Sequence, residues 1–391
     1  MKTTVATIDF GTSKIVALIA ETSGQQRCDI VGAGTEPYDG YMEGRWNAPD
    51  QLNAAIEKAV RAAEDQAHAR IKEIFVGVPG DFSQVRTVEV KIELQGADPR
   101  VTEKDLNDLF DKAAEQLGPI RGSIIHRSPA WFIVDDGKKT LEPAGQRGYE
   151  LRAMISFVIA DPFFLEDVQE RFRALDITVA GCLSTPIGEA MLFVPEEERD
   201  RSAVLVDIGY LNTEVMIVQG DAITSLTNIP MGGGHIAADL AYGLEITLDS
   251  AEQIKRSYVY GLSAGQSSFE GKDANDVQKS FSREEVEQVL EPRAEEICEA
   301  IRDAIADSGV KMGQWSPVYL TGGGLAINRG GREFLAAKLE RTVRELPRKA
   351  VKLASPAYSS ALGLLDLLID TTASARATSG IGGFFRSLFG G

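Results

Sequence analysis

Two stretches of the chain share one pattern of apolar and polar positions. At residues 203–206 four apolar residues run into Asp207 and Gly209, and residues 213–218 lead back out. At residues 5–8 a similar run ends in Asp9-Phe10-Gly11-Thr12-Ser13-Lys14, and residues 15–20 return. Both read as β-hairpins with an acid and a glycine at the inner end of the first strand. Residues 28–34 predict a further strand. Residues 50–70 predict a helix with Asp50 as N-cap and Leu52, Ile56, Ala59, Val60 and Ala63 on one face. The apolar run at 74–78 predicts a buried strand ended by Pro79-Gly80. Strands followed by a helix and another strand make an α/β pattern.

The patterning changes at residue 83. Val88, Val90, Ile92 and Leu94 alternate with polar residues, so this strand has one wet face. Residues 102–117 predict an amphipathic helix opened by Thr102 and Asp105, with Leu106, Leu109, Phe110, Ala113 and Leu117 as its stripe. Strands at 124–134 and 149–160, with a turn at Asp135-Asp136-Gly137, complete an antiparallel inserted module over 83–160 with one solvated face. The main pattern resumes with a helix at 162–175, a strand at 177–183, a helix at 185–192 and a charged connector at 195–201.

Beyond the second hairpin, Ile229-Pro230-Met231-Gly232-Gly233-Gly234-His235 leads into a helix at 236–242, and a helix at 250–258 has Ser250 and Gln253 in capping-box positions. Residues 263–271, rich in Ser and Gly, read as an exposed loop, and 282–307 as one long helix or two meeting at Pro292. A strand at 318–320 runs into Thr321-Gly322-Gly323-Gly324. Helices at 332–346 and 359–369 and a small, polar linker at 370–380 follow.

At 391 residues the chain suffices for two domains or one deeply split one. Its net charge of −17 argues against nucleic-acid binding through a general field and against unaided adhesion to an anionic membrane. Cys28, Cys182 and Cys298 are far apart and odd in number, which speaks for a reducing compartment and against a disulfide framework or a zinc site. With only His68, His126 and His235, a histidine-rich metal centre is not expected. The N-terminus enters a strand without a basic or apolar leader, and no stretch approaches the roughly 18 apolar residues that span a bilayer. The expectation is a cytoplasmic protein.

An acid at the inner end of a strand can hold a hydrated Mg²⁺, and a neighbouring glycine lets backbone N–H groups approach a phosphate, since no Cβ blocks the way. One such turn is equally a structural hairpin. Two copies, with three glycines after a late strand, favour a pair of facing phosphate clamps. Neither a GxxxxGK[ST] loop nor a GxGxxG is present, which removes support for the P-loop and dinucleotide readings.

Two such hairpins in two halves, a triple-glycine turn and a closing helix resemble the actin/Hsp70/sugar-kinase superfamily. Within it the chain is similar to the FtsA family of bacterial division actin homologues. The most specific residues are those from Ile229 through the triple glycine to Asp239, then Ala251-Glu252-Gln253-Ile254-Lys255, then Leu290-Glu291-Pro292-Arg293. The resemblance implies an α/β, actin-like (ribonuclease H-like) two-lobed ATPase fold with an FtsA-type inserted subdomain. It would divide the chain into 1–82 with 161–195, the insert at 83–160, 196–238 with 313–369, a helical nucleotide- and partner-binding subdomain at 239–312, the linker at 370–380 and a terminal helix at 381–391.

It also implies a bound ATP with Mg²⁺. Asp9, Gly11, Thr12, Ser13 and Lys14 would form the first phosphate loop, Asp207 and Gly209 the second, and Asp9 and Asp207 would hold the metal. Gly232, Gly233 and Gly234 would form the linking turn, Glu252 and Lys255 would reach ribose and adenine, and Gly322, Gly323 and Gly324 the adenosine side. On spacing alone, Glu252 and Lys255 are a solvent-facing helix pair. Tyr210 and Leu211 stand where the family has glycines, leaving Asn212 and Thr213 to donate to a γ-phosphate, and Thr185 stands where filament-forming relatives often place a glutamate, with Glu189 one turn on. ATP binding with slow or absent hydrolysis is expected.

Ile381, Phe384, Phe385, Leu388 and Phe389 fall at i, i+3, i+4, i+7 and i+8, one helical face with Arg386 as its cation. This resembles the family's membrane-targeting helix, though a helix docked on the protein's own core has the same pattern. One copy binds lipid weakly and a filament binds by avidity, gaining on the order of 10²–10⁴-fold. The implied function is a homopolymer on the inner face of the cell membrane at the division site, holding the C-terminal peptide of FtsZ, the tubulin-like ring protein. Lys255, Arg256, Lys272 and Lys279 are candidates for a basic peptide pocket. A pilus-assembly actin homologue or a small-molecule kinase of the same superfamily are the alternatives, and neither has a use for the terminal helix.

Overall fold

A computed structural model describes residues 2–23, 27–261, 267–313, 315–347 and 353–377. The stretch 381–389, with the six residues expected at the membrane, lies outside the described residues. In chain order come β1 (Lys2–Phe10), β2 (Lys14–Ser23), β3 (Arg27–Pro37), β4 (Tyr41–Met42), β5 (Arg45–Trp46), α1 (Pro49–Ala67), β6 (Glu73–Val78) and β7 (Ser83–Glu93). Then follow α2 (Glu103–Leu117), β8 (Ser123–Val134), β9 (Glu150–Ala160), α3 (Pro162–Ala174), β10 (Thr178–Ser184), α4 (Thr185–Phe193) and α5 (Glu196–Arg199). The later part holds β11 (Ala203–Ile208), β12 (Thr213–Gln219), β13 (Ala222–Ile229), α6 (Gly233–Gly243), α7 (Leu248–Ser257), β14 (Ser268–Lys272) and β15 (Gln278–Ser282). It ends with α8 (Arg283–Asp307), β16 (Val318–Thr321), α9 (Gly331–Leu339), β17 (Val343–Arg344) and α10 (Ser359–Ala377).

The chain divides into two compact units. Of the described residues, the first takes in those within 2–203, 216–226 and 360–377, and the second those within 204–215 and 227–359. One five-stranded sheet has the order β10-β6-β1-β2-β3 and the other β13-β12-β11-β16-β17. Each is a three-strand meander extended by two later strands, the same plan twice. In the first, β1–β2 and β2–β3 are antiparallel while β6 joins β1, and β10 joins β6, in parallel. In the second, β16 runs parallel to β11, with Asp207 opposite Thr321.

In the first unit an aromatic cluster fixes the end of β1. Phe10, buried beside Asp9, packs on Trp46 at 5.4 Å and Phe164 at 5.9 Å, and the Trp46 indole N–H donates to Asp167 at 2.9 Å. Helices α4 and α10 cross at two glycines. A Cβ at Gly188 would stand 2.5 Å from the carbonyl of Gly363, and one at Gly363 would stand 2.5 Å from Glu189 N. That close approach depends on the missing side chains. Residues 370–377, expected to begin a linker, continue α10 as helix, and α10 groups with the first unit and not with the second half.

The insert is the antiparallel sheet β7-β9-β8 with α2 over one face, its core built from Leu109, Phe110, Phe132, Ile155 and Phe157. Helix α2 has the expected capping box between Thr102 and Asp105. The solvated face is confined to the edge strand β7. Strands β8 and β9 are largely buried, because Ala130 and Trp131 pack on Ala222 and the Ser156 hydroxyl donates to the Ile223 carbonyl at 2.6 Å.

Other local expectations shift for identifiable reasons. Pro49, not Asp50, opens α1, where its missing N–H costs nothing. Thr247 caps α7 by accepting from Ser250 N, so Ser250 is three residues inside the helix. Residues 268–271, expected in a loop, belong to β14, which pairs with β15, and Phe269 is buried. Helix α8 runs through Pro292 as one helix with Ser282 and Glu285 as its capping box. Helix α6 starts within the triple glycine, and Gly322, Gly323 and Gly324 precede α9 by several residues instead of opening it.

Candidate functional site

The predicted residues fall into two groups, one in each unit. In the first unit β1 delivers Asp9 to the inner end of the sheet, where its side chain is 3% exposed. Oδ2 accepts a hydrogen bond from Ser360 Oγ at 2.6 Å, and Oδ1 has no partner among the described residues. Burial pushes the Asp9 carboxyl up to about 6, against the Ser360 hydrogen bond, the Lys14 charge and the Phe10 backbone, which pull it down. Around it the turn is tightly drawn. Gly11 N donates to Lys14 O at 2.9 Å, Ser13 O accepts from Tyr38 N at 3.1 Å, and Thr12 is buried. Thr185 is buried at the start of α4, its hydroxyl without a partner among the described residues, and Glu189 is buried one turn on.

The second unit brings the remaining predicted residues together. Asp207, the last residue but one of β11, lies beside Thr321, and Gly322, at φ +90°, turns away next to the Asp207 carboxylate. The hairpin turn and the start of α6 are strapped to each other. Gly233 N donates to Gly209 O at 2.9 Å, Gly234 N to Tyr210 O at 2.6 Å, and Gly209 N to Asn212 O at 2.9 Å. Gly232 N donates to His235 Nδ1 at 3.1 Å, and Gly324 N to Ile208 O at 2.7 Å. These N–H groups, expected to face a phosphate, are therefore committed within the unit.

Packing explains most of the glycines. A Cβ at Gly232 would stand 2.7 Å from Gly209 O, one at Gly233 2.6 Å from Gly324 Cα, and one at Gly234 2.8 Å from the Tyr210 ring. Gly323 differs, because a Cβ there would meet only Ala357, at 3.3 Å. The Thr213 hydroxyl donates to Met231 O at 2.7 Å, which leaves it no proton for a phosphate in this arrangement; Asn212 is buried beside it.

Lys255 is 1% exposed, and its Nζ bonds Glu252 Oε2 at 2.7 Å and Gly233 O at 3.0 Å, 5.5 Å from the centre of the Tyr210 ring. Burial pulls its ammonium pKa down while Glu252 holds it up. The pair is thus not solvent-facing, and buried Lys255 drops out as a peptide contact. Arg256 pairs with Glu252, Lys272 with Asp276 and Lys279 with Glu245. Asn328 Nδ2 donates to the carbonyls of Lys255 and Tyr258 at 2.7 and 2.9 Å and ties α7 to the loop after β16. The sequence motifs also meet, since Arg293 Nε on α8 bonds Asp239 Oδ2 on α6 at 2.6 Å and Tyr258 OH donates to Glu291 at 2.8 Å.

No cluster of three or more His, Cys, Asp or Glu side chains is present among the described residues. Mg²⁺ needs none, as it commonly takes one or two carboxylates, water and substrate phosphates. A buried carboxylate with one oxygen tied and one open, as at Asp9, fits that donor set.

Sequence reasoning gave no role to Ser360, Thr321 or Asn328. Only the doubled serine at 359–360, placed at a helix start, hinted at the first of these.

The family model described as cell division protein FtsA matches residues 204–363, and that of the SHS2 domain inserted in FtsA matches residues 82–159. Among curated relatives, the cell division protein FtsA of Pseudomonas aeruginosa is 26% identical over 367 residues, covering 92% of this chain and 87% of its own. That of Bacillus subtilis is 22% identical, covering 92% and 82%, and that of Escherichia coli 21% identical, covering 98% and 96%. Among solved structures, a PilM–PilN type IV pilus biogenesis complex superposes with a TM-score of 0.62 at 17% identity, covering 93% of this chain and 98% of that one. The MamK double helical filament gives 0.52 at 13%, covering 93% and 98%, and MreB5 of Spiroplasma citri bound to AMPPNP gives 0.50 at 12%, covering 97% and 99%. These likenesses establish the actin-like fold.

Proposed function

The chain belongs to the FtsA family and is an actin-like cell-division protein, and from that premise we propose that it binds ATP with Mg²⁺, polymerises, and tethers the FtsZ ring to the inner face of the cell membrane. The observation that carries this reading is the FtsA-type insert at residues 82–159 within a chain that matches FtsA relatives along nine-tenths of its length. The pilus-assembly reading rests on a likeness of fold at 17% identity. The Spiroplasma protein is described as bound to AMPPNP and MamK as a double helical filament, and both support nucleotide binding and self-assembly here.

Asp9, Gly11, Thr12, Ser13 and Lys14 in the first unit, and Asp207, Gly209, Asn212, Gly323, Glu252 and Lys255 in the second, are the proposed nucleotide residues. Asp9 and Asp207 are the proposed metal residues. Mg²⁺, when bound, would neutralise phosphate charge. Asp9 would offer Oδ1, and Lys14 would add positive charge. The strapped turn at Tyr210 offers fewer free backbone donors than an open glycine loop, which favours binding without rapid turnover. No helix among the described residues is long and apolar enough to cross a membrane. Attachment is assigned to Ile381, Phe384, Phe385, Arg386, Leu388 and Phe389 on their helical periodicity.

The test is co-sedimentation with liposomes, with and without ATP, of the intact chain, Phe384→Glu and a chain ending at Ser379. The intact chain should pellet, more so with ATP, and both variants should stay in solution. Equal pelleting of all three removes the tail from the mechanism.

A further inference from the structure

Ser359 and Ser360 open α10; Ser360 is bound to an acid of β1, and Ser359 to a strand that neighbours the one carrying Asp207. Ser360 Oγ donates to Asp9 Oδ2 at 2.6 Å, within the first unit. The Ser359 hydroxyl is hydrogen-bonded to that of Thr321, within the second unit, and Thr321 is the register partner of Asp207 on the neighbouring strand. The chain passes from one unit to the other at the peptide bond joining these serines.

The bond to Ser360 settles which Asp9 oxygen is available. Oδ2 is occupied, while Oδ1 is buried and without a partner among the described residues. Phe10, wedged against Trp46 and Phe164, fixes the backbone beside it. Asp9 also lies at the N-terminal turn of a nineteen-residue helix, where the helix dipole favours a negative charge.

We infer that Ser360 is a positioning residue, acting through Asp9, for the cation that accompanies the nucleotide. Ser360 holds Oδ2 so that Oδ1 is the oxygen presented to Mg²⁺ or to its water. Ser359 steadies Thr321, and with it the end of β16 that lies against Asp207. The inference rests on the Mg–ATP reading above and adds a role for α10, whose second residue holds the Asp9 carboxylate.

The experiment is calorimetric titration of the full-length protein with ATP, in saturating Mg²⁺ and again in EDTA, for wild type, Ser360→Ala, Ser360→Thr and Ser359→Ala. Losing a hydrogen bond to an ionised group should weaken Mg²⁺-dependent ATP binding by about 10-fold in Ser360→Ala. Binding in EDTA should stay as in wild type. Ser360→Thr keeps the hydroxyl and should keep the affinity, and Ser359→Ala, which leaves the Ser360–Asp9 bond in place, should lose less than Ser360→Ala. Equal weakening in both conditions marks a merely structural serine and overturns the inference, as does unchanged binding in Ser360→Ala.

A wild type that binds ATP equally with and without Mg²⁺ overturns the inference and leaves the nucleotide reading standing. A wild type that binds no ATP overturns both. Thermal unfolding followed by circular dichroism checks that each variant is folded. Should Ser360→Ala fail to fold, Ser360→Cys, a weaker donor, takes its place with the same expected Mg²⁺-specific loss.

Discussion

Replacing Asp9 by asparagine should make the nucleotide-free protein more stable while removing its response to Mg–ATP. Asp9 titrates at about 6 in the folded chain against a reference of 3.8, because burial outweighs the help from Ser360 and Lys14. A folded pKa raised above the unfolded one means that the folded state binds the proton more tightly. Asp9 therefore destabilises the fold above about pH 6, and that penalty fades as pH falls towards 3.8. The difference corresponds to about 3 kcal/mol at neutral pH. Asparagine keeps an acceptor for Ser360 Oγ and carries no charge, but its amide places a donor at the open Oδ1 position, at a cost of about 1–3 kcal/mol.

The net gain at neutral pH is therefore about 1 kcal/mol, and the pH dependence is the sharper measurement. Between pH 7.5 and 4.5 the advantage of Asp9→Asn over wild type should shrink by about 2 kcal/mol. Every other titrating group cancels in that comparison. Urea unfolding at a series of pH values, followed by a probe placed in the first unit, supplies the difference. Adding Mg–ATP should raise the wild-type midpoint through mass action and leave the variant where it was. A stability difference independent of pH, or a variant stabilised by Mg–ATP as strongly as wild type, refutes the reasoning.

His126 is 8% exposed and burial pulls its pKa down to about 4 from 6.5, so the insert should lose about 3 kcal/mol as pH falls from 6.5 to 4. His126→Leu should abolish that loss, as measured by urea unfolding across the same range. Gly232→Ala forces a Cβ against the Gly209, Tyr210 and Asn212 carbonyls and should cost about 1–3 kcal/mol. Gly323→Ala should leave the melting temperature nearly unchanged and weaken ATP binding in the titrations described above. Lys255→Met leaves the Gly233 carbonyl without its partner and Glu252 with Arg256 alone. It should cost about 3 kcal/mol in the second unit, visible in thermal unfolding.

Elements with strong periodicity were legible in the sequence. Both hairpins, the capping box of α2 and the start of the insert at Ser83 fall where the apolar pattern places them. Strand β13 was missed because Ser225, Thr227 and Asn228 interrupt its apolar pattern on the sheet edge, where only its ends are fully buried. Strand β14 was hidden by its glycine and serine, and Phe269 gains its meaning only from pairing with Phe281. Serine 360 lies 351 residues from Asp9, so no local pattern could join them. The position of Lys255 was misread because helix spacing reports the neighbours on its own helix, not the glycine carbonyl that α6 brings to its ammonium.

The triple glycines show why composition alone misassigns chemistry. Gly232–Gly233–Gly234 and Gly322–Gly323–Gly324 look alike in sequence and like phosphate cradles. Four N–H groups among the six donate to atoms of their own unit, and the absent side chains mostly make room for backbone. A glycine whose Cβ would collide with its own fold is required whether or not a ligand is ever present. Only Gly323 lacks a close backbone neighbour in the Cβ direction. The triplets therefore act first by clamping the Asp207 turn to α6 and to the loop after β16. Asp9 Oδ1, without a partner among the described residues, and the uncrowded Gly323 are different, which is why the decisive tests fall on Asp9, Gly323 and the Ser360 hydroxyl bound to Asp9.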